Sequence, residues 1–165
     1  MEKRLLILSL AAAGLIVSGT SQAGSVSKPL EVMASVASTC TLDVTRVDFG
    51  QFVGEILDVA GEMRVNCNRN VPYVIAMDAG KSKDAQGNRN MKDSSGNKLP
   101  YRLAYIGSDW GDNGLANTFT GGDPVTAVGK GTIEKFTVEG RIYATPNGAP
   151  APGVYNDIVT VTVAF

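Results

Sequence analysis

The chain contains no histidine, and this absence excludes several classes of enzyme. Ser-His-Asp and Cys-His catalytic arrangements both need an imidazole as the general base. The sequence also lacks the GxSxG, GxGxxG and P-loop patterns. Its carboxylates are scattered over loops, where two of them could converge only by chance. We therefore predict a protein that is not an enzyme and that uses no cofactor.

An excess of charge of either sign is also lacking. The chain has 15 Lys and Arg against 16 Asp and Glu, which leaves a formal net charge of −1. Nucleic-acid-binding domains usually carry a basic patch, and membrane-surface proteins a polybasic segment. The sequence has neither, so we predict no nucleic-acid partner.

Long hydrophobic runs are absent except at the start of the chain. Lys3 and Arg4 precede an apolar run from Leu5 to Val17, and Ser21-Gln22-Ala23 has the small residues of a cleavage site. This order is typical of a secretory signal peptide, and the run is too short for a membrane span. We predict a signal peptide over residues 1–23 and an exported, soluble chain that starts at Gly24.

Cysteine is scarce, with only Cys40 and Cys67 present. A single pair in an exported protein usually forms a disulfide. The chain-entropy account gives a loop of this length roughly 3–4 kcal/mol of stabilisation. A two-cysteine metal site is the alternative, but no histidine is there to complete it.

The rest of the chain has the pattern of a β protein. Short apolar or alternating runs recur between Gly, Asn, Asp and Pro, and no window keeps a 3.6-residue apolar period. This spacing favours an antiparallel sandwich or barrel. The predicted strands are Leu42–Val47, Phe49–Val53, Gly61–Cys67, Tyr73–Asp78, Tyr101–Ile106, Thr132–Tyr143 and Asn156–Phe165.

Two glycine-rich and polar stretches separate these strands. Ala79–Lys98 is predicted to be one long loop with a short ordered piece near Arg89, and Gly107–Gly131 is the second stretch. The oxygen-rich segments that begin at Asp84 and Asp109 could bind calcium, but ordinary turns explain them better. Trp110 could contact a sugar or a partner, and we favour instead a position over the edge of the core.

Two alternating segments at opposite ends lack an evident partner strand. At the C-terminal end, Val159, Val161, Val163 and Phe165 point to one face, because strand side chains alternate. A second segment precedes Cys40. Its even-numbered positions are apolar except for Lys28, and they are Val26, Leu30, Val32, Ala34 and Val36. The two segments pair either within one molecule or between molecules.

Several ordered pieces of the sequence resemble the spore coat protein U domain of archaic (Csu-type) chaperone–usher pilins. They cover nearly all of the mature chain and assign residues 37–165 to the pilin domain. Residues 104–108 are shorter than in the family pattern, and Phe165 replaces a frequent tyrosine. The pieces are Val47-Asp48-Phe49-Gly50, the segments 61–67 and 73–77, Arg89-Asn90-Met91, the segment 99–103, Trp110-Gly111, Gly140-Arg141-Ile142 and the segment 152–163.

The resemblance implies an immunoglobulin-like sandwich that lacks its final strand. In such pilins a periplasmic chaperone fills the groove first, and at the outer-membrane usher the N-terminal extension of the next subunit replaces it. Residues 24–36 would then be the donor strand, with Val26, Leu30, Val32, Ala34 and Val36 entering the groove of a neighbour. Val159, Val161, Val163 and Phe165, with parts of the strand that ends near Cys67, would form the groove and contact the chaperone.

Three functions follow from these observations. The favoured one is a structural pilin that polymerises into a cell-surface fibre for attachment and biofilm formation. A tip adhesin is the second, although such subunits usually carry an extra domain and need no donor strand. The third is a self-complemented secreted sandwich that binds another molecule, although the short connector from Val36 to Cys40 argues against a return of the extension.

Overall fold

A computed structural model describes residues 24–111, 122–145 and 150–165. The chain divides into two compact units, residues 1–35 and residues 36–165. The second unit contains every strand in the described part of the chain. The strands are β1 (Cys40–Val44), β2 (Leu57–Cys67), β3 (Pro72–Met77), β4 (Asn90–Lys92), β5 (Lys98–Pro100), β6 (Arg102–Tyr105), β7 (Ser108–Asp109), β8 (Val125–Val128), β9 (Glu134–Ile142) and β10 (Val161–Ala164).

The strands form two main sheets and a small hairpin. The larger sheet has the order β1-β2-β9-β6-β7, the smaller has the order β10-β3-β8, and β4 pairs with β5. Every strand pair is antiparallel. The prediction of an all-β, immunoglobulin-like antiparallel sandwich is therefore confirmed.

The core lies between the inner faces of the two sheets. Side chains alternate along each strand, so every second residue turns inward. In β9 the inward residues include Phe136 and Val138, and in β3 they are Tyr73, Ile75 and Met77, all of which are buried. The sandwich therefore forms one hydrophobic cluster with contributions from both sheets.

Trp110 belongs to this cluster. Its side chain is completely buried, and its indole N–H donates a hydrogen bond to the Ile75 carbonyl at 3.0 Å. The Tyr105 ring packs against it with centroids 5.2 Å apart. A buried indole needs such an acceptor for its single donor. The prediction that Trp110 packs on the core rather than contacting a partner is confirmed.

The predicted strand Phe49–Val53 is wrong, and the predicted strand Leu42–Val47 already ends at Val44, so residues 45–53 contain no strand. The segment runs over β9 without forming a strand, and Phe49 packs edge-on against Tyr101 with ring centroids 6.2 Å apart. Gly140 makes this approach possible, because a Cβ there would lie 2.9 Å from the Phe49 ring and 3.0 Å from Val47. Side-chain packing onto a glycine replaces the backbone ladder here.

Four short strands were missed by the sequence pattern. The predicted loop Ala79–Lys98 contains β4 and the first residue of β5, and the stretch Gly107–Gly131 contains β7 and β8. The β4–β5 turn is formed by Asp93, whose carboxylate accepts hydrogen bonds from the Ser95 and Asn97 backbone N–H groups at 2.9 and 2.7 Å. Strands β4 and β5 carry too short an apolar signal, because turn chemistry fixes them. Strand β8 does alternate, and its Val125 and Ala127 pack against the core, but its four residues are too few to stand out within a glycine-rich stretch.

The final predicted strand, Asn156–Phe165, is shorter than expected. Regular pairing begins only at Val161, although the Thr160 carbonyl still accepts the Asp78 N–H at 3.0 Å. The Thr160 N–H instead bonds the Asp78 carboxylate at 2.8 Å. A carboxylate thus takes the place of a backbone carbonyl, and this substitution interrupts the regular ladder.

Candidate functional site

The first edge of interest belongs to β10. This strand pairs with β3, where Val161 lies opposite Met77 and Val163 opposite Ile75. On its other side β10 has no partner strand in the described part of the chain. An unpaired edge offers a row of N–H and C=O groups to which a further strand can bind.

The side chains along the β10 edge face the core but remain partly exposed to solvent. Val159, Val161 and Val163 all pack against the hydrophobic cluster, yet all three are only partly buried. Phe165 differs, because its side chain is 59% exposed and lies outside that cluster. The structure therefore brings the three valines together on one face and leaves Phe165 at the rim, beside Tyr73 and Ala164.

The opposite sheet presents a second incomplete edge at β1. This strand pairs only with β2 among the described residues, with Leu42 opposite Val65 and Val44 opposite Met63. Val65 and Met63 are fully buried, whereas Leu42 and Val44 are 37% and 50% exposed. Each sheet thus ends in a strand whose apolar side chains lack cover.

Two carboxylates hold the segment that leads into β10. Asp157 accepts hydrogen bonds from the Ser82 N–H at 3.0 Å and from the Tyr101 hydroxyl at 2.7 Å. Burial, followed by the Asp157 hydrogen bond, raises the pKa of Tyr101. Asp78 accepts the Gly80 N–H at 2.9 Å in addition to that of Thr160. These bonds fix the point at which β10 begins.

Arg89 supports the same region from inside the molecule and was not identified as important from the sequence. It is only 4% exposed and donates to the carbonyls of Met77 at 3.0 Å, Asp78 at 2.7 Å and Trp110 at 2.8 Å. Burial lowers the pKa of its guanidinium. A buried guanidinium that satisfies several carbonyls connects the end of β3 to the Trp110 loop. The only sequence signal was its place in the Arg89-Asn90-Met91 piece.

Residues 24–35 are the described part of the first unit and contain no helix or strand. All of their side chains are exposed, and Val26, Leu30 and Val32 are 86–93% exposed. Ala34 and, at the start of the second unit, Val36 are exposed as well. The segment therefore presents apolar side chains at alternate positions to solvent, which is unusual for a soluble protein. The predicted signal peptide, residues 1–23, lies outside the described residues.

The two cysteines form a disulfide, as predicted. Cys40 and Cys67 lie directly opposite each other in the β1–β2 register, with Cα atoms 4.1 Å apart. The bond therefore fastens the edge strand β1 to the interior strand β2 at the point where β1 begins.

The described residues contain no cluster of three or more His, Cys, Asp or Glu side chains that could hold a metal ion. Asp84 instead forms a turn, where its carboxylate accepts the N–H groups of Gln86 and Asn88. The second candidate calcium loop, from Asp109, lies partly outside the described residues. A helix long and apolar enough for a membrane span is also not found among the described residues.

Comparison with known proteins identifies the family. The chain is similar in fold to a crystal structure of the CsuC–CsuE chaperone–tip adhesion subunit pre-assembly complex from the archaic chaperone–usher Csu pili of Acinetobacter baumannii, with 26% identity and a TM-score of 0.59. The match covers 79% of this chain and 40% of that chain. Curated proteins gave no match. The family model described as the Spore Coat Protein U domain matches residues 26–162, so the chain belongs to the spore coat protein U domain family.

Proposed function

We propose that this protein is a structural, non-enzymatic subunit of an archaic chaperone–usher pilus. The observation that carries the proposal is the free edge of β10, whose core-facing valines are only partly covered. A strand added at this edge would complete the sheet with backbone hydrogen bonds and fill the gap with alternate side chains. The Csu complex, a chaperone bound to a pilus subunit, supports this interpretation.

The occupant of the edge in the assembled fibre is residues 24–36 of a neighbouring subunit. Every even-numbered position from Val26 to Val36 is apolar and exposed, except Lys28. Met33 is a further exposed apolar residue, on the opposite side of an extended strand. Burial of each aliphatic side chain contributes about 1.5–3 kcal/mol, so four or five of them give a very stable assembly. Before assembly, a periplasmic chaperone protects the edge, and an outer-membrane usher exchanges the chaperone for the next subunit. The finished fibre lies on the cell surface and serves adhesion and biofilm formation.

Removal of residues 24–36 tests this proposal. The mature full-length chain, produced with its chaperone and usher, is expected to give SDS-resistant ladders, and the truncated chain is expected to give none. The truncated chain keeps its groove, so a synthetic peptide of residues 24–36 should raise its melting temperature, whereas the same peptide with Val32→Asp should not. Ladders that persist after truncation would refute donor-strand assembly. A full-length chain that stays monomeric at all concentrations would favour the self-complemented sandwich.

A further inference from the structure

The connector between the extension and the sandwich, residues 37–39, is held by a single residue, Asn68. The Asn68 amide N–H₂ donates to the Ala37 carbonyl at 3.4 Å, and its carbonyl oxygen accepts the Thr39 hydroxyl. The Asn68 backbone N–H also donates to the Thr39 carbonyl at 3.1 Å. Three hydrogen bonds thus join one residue to the three-residue segment that precedes β1.

Asn68 is itself fixed by its surroundings. It directly follows Cys67, which is fully buried and bonded to Cys40. Its carbonyl accepts the Val71 N–H at 3.2 Å across a tight turn, in which Asn70 has a φ of 64°. Asparagine tolerates this left-handed conformation better than most residues.

A glycine segment supports the turn from the other side. The Gly129 carbonyl accepts the Asn70 N–H at 2.8 Å, and the Gly131 N–H donates to the Cys67 carbonyl at 3.1 Å. A Cβ at Gly129 would lie only 2.2 Å from the Asn68 carbonyl oxygen. The backbone of residues 67–71 is therefore packed between β1 and this segment, and the Asn68 side chain projects from a rigid base.

We propose that Asn68 is a positioning residue that holds the connector, residues 37–39, in one conformation. A free connector of three residues could sample many backbone conformations, and each residue held in one conformation loses about 1–2 kcal/mol of conformational entropy. With Ala37 and Thr39 bonded to Asn68 and Cys40 bonded to Cys67, the three residues before β1 are held in place. Given the proposed function, this connector is the joint between successive subunits, and Asn68 sets its stiffness.

The variant Asn68→Ala tests the inference in the purified full-length chain, with Asn66→Ala as the matched control. Asn66 lies on β2 opposite Thr41, and its side chain is exposed. We expect backbone order parameters near 0.85 for Ser38 and Thr39 in the wild type and the control, and below about 0.6 in Asn68→Ala. Order parameters that are low in the wild type, or unchanged in the variant, would overturn the inference.

A second variant guards against a folding defect. Thr39→Val removes only the hydroxyl that Asn68 accepts, at an exposed position outside the turn, and should lower the order parameter of Ser38 to an intermediate value. In assembled fibres, Asn68→Ala should shorten the persistence length seen by electron microscopy while leaving the SDS-resistant ladders unchanged. If Asn68→Ala fibres are as stiff as wild-type fibres, Asn68 does not set the stiffness of the joint. If the wild-type chain forms no SDS-resistant ladders, the proposed function is refuted. The order parameters of Ser38 and Thr39 still test the role of Asn68 in that case.

Discussion

Tyr73 is one of two tyrosines, with Tyr101, at which pH should act on the stability of this fold. Its ring is 2% exposed within the core, and its hydroxyl donates to a Glu134 carboxylate oxygen at 3.1 Å. Burial, followed by the hydrogen bond to Glu134 and the charge of that carboxylate, raises the pKa of Tyr73 to about 12. An unfolded tyrosine releases its proton near pH 10.

This difference predicts an alkaline loss of stability. Between about pH 10 and 12 the folded protein keeps the Tyr73 proton while the unfolded chain loses it, so the free energy of unfolding falls as pH rises. Tyr73→Phe should cost about 1 kcal/mol at pH 7, because the hydrogen bond is lost, and should weaken the alkaline decline. Urea unfolding at pH 7, 9 and 11 measures both effects. Tyr143→Phe, at a half-exposed tyrosine, serves as control; an alkaline decline in Tyr73→Phe as steep as in the wild type would contradict the assignment.

Strand β10 is the element on which the proposed assembly depends. Its inward residue Val161 lies opposite Met77, while Thr126 on β8 lies opposite Val74 and points to the outer face of the same sheet. Positions 161 and 126 therefore lie in the same sheet but on opposite faces of it.

Val161→Asp should disrupt strand addition, and Thr126→Asp should not. A carboxylate at position 161 would be unpaired in a dry pocket once a strand covers it, which costs about 3 kcal/mol. That penalty corresponds to a loss of donor-peptide affinity of roughly 100-fold. Titration of the truncated domain with the peptide of residues 24–36 measures this loss. Equal affinities for the two variants would show that the groove lies elsewhere.

The elements differ in how far the sequence could predict them. The strands Gly61–Cys67 and Thr132–Tyr143 could be predicted because their alternating residues are buried. The structure extends the first back to Leu57 and shortens the second to Glu134–Ile142. The strands β4 and β5 could not be predicted in the same way, because they are three residues long and depend on the Asp93 turn. Arg89 and Asp157 were equally inaccessible, because their partners lie far away in sequence and only the fold brings them together.

The candidate site, too, could be predicted from the sequence only in part. The one-sided valines of β10 follow from strand periodicity, whereas the exposed position of Phe165 does not, because the regular strand ends at Ala164. The uncovered Leu42 and Val44 on β1 could not be predicted either. Which strand lies at an edge is a property of sheet order, and local sequence does not contain it.

At the scale of the whole molecule, the proposed fibre requires that an exposed segment and an uncovered groove match in register. The extension offers a test of this match, because neighbouring residues on it have opposite predicted roles. Val32 and Met33 are 86% and 90% exposed, so their surroundings in the isolated chain are nearly the same. In a donor strand, however, Val32 would enter the groove and Met33 would face away from it.

Val32→Asp should therefore abolish SDS-resistant ladders, while Met33→Asp should leave them intact. The same charge is added one residue apart, so net charge, solubility and chaperone binding change equally, and only the alternation separates the variants.

A mixture of Val32→Asp and wild-type subunits adds a second constraint. A Val32→Asp subunit keeps its own groove and should still accept a wild-type extension, so it should appear once in each ladder, at one end. Ladders from both variants would exclude a strand-like donor, and loss in both would indicate that any charge in the extension prevents assembly. The contrast between positions 32 and 33 thus tests whether the extension binds as a strand, the arrangement that the open edge of β10 requires.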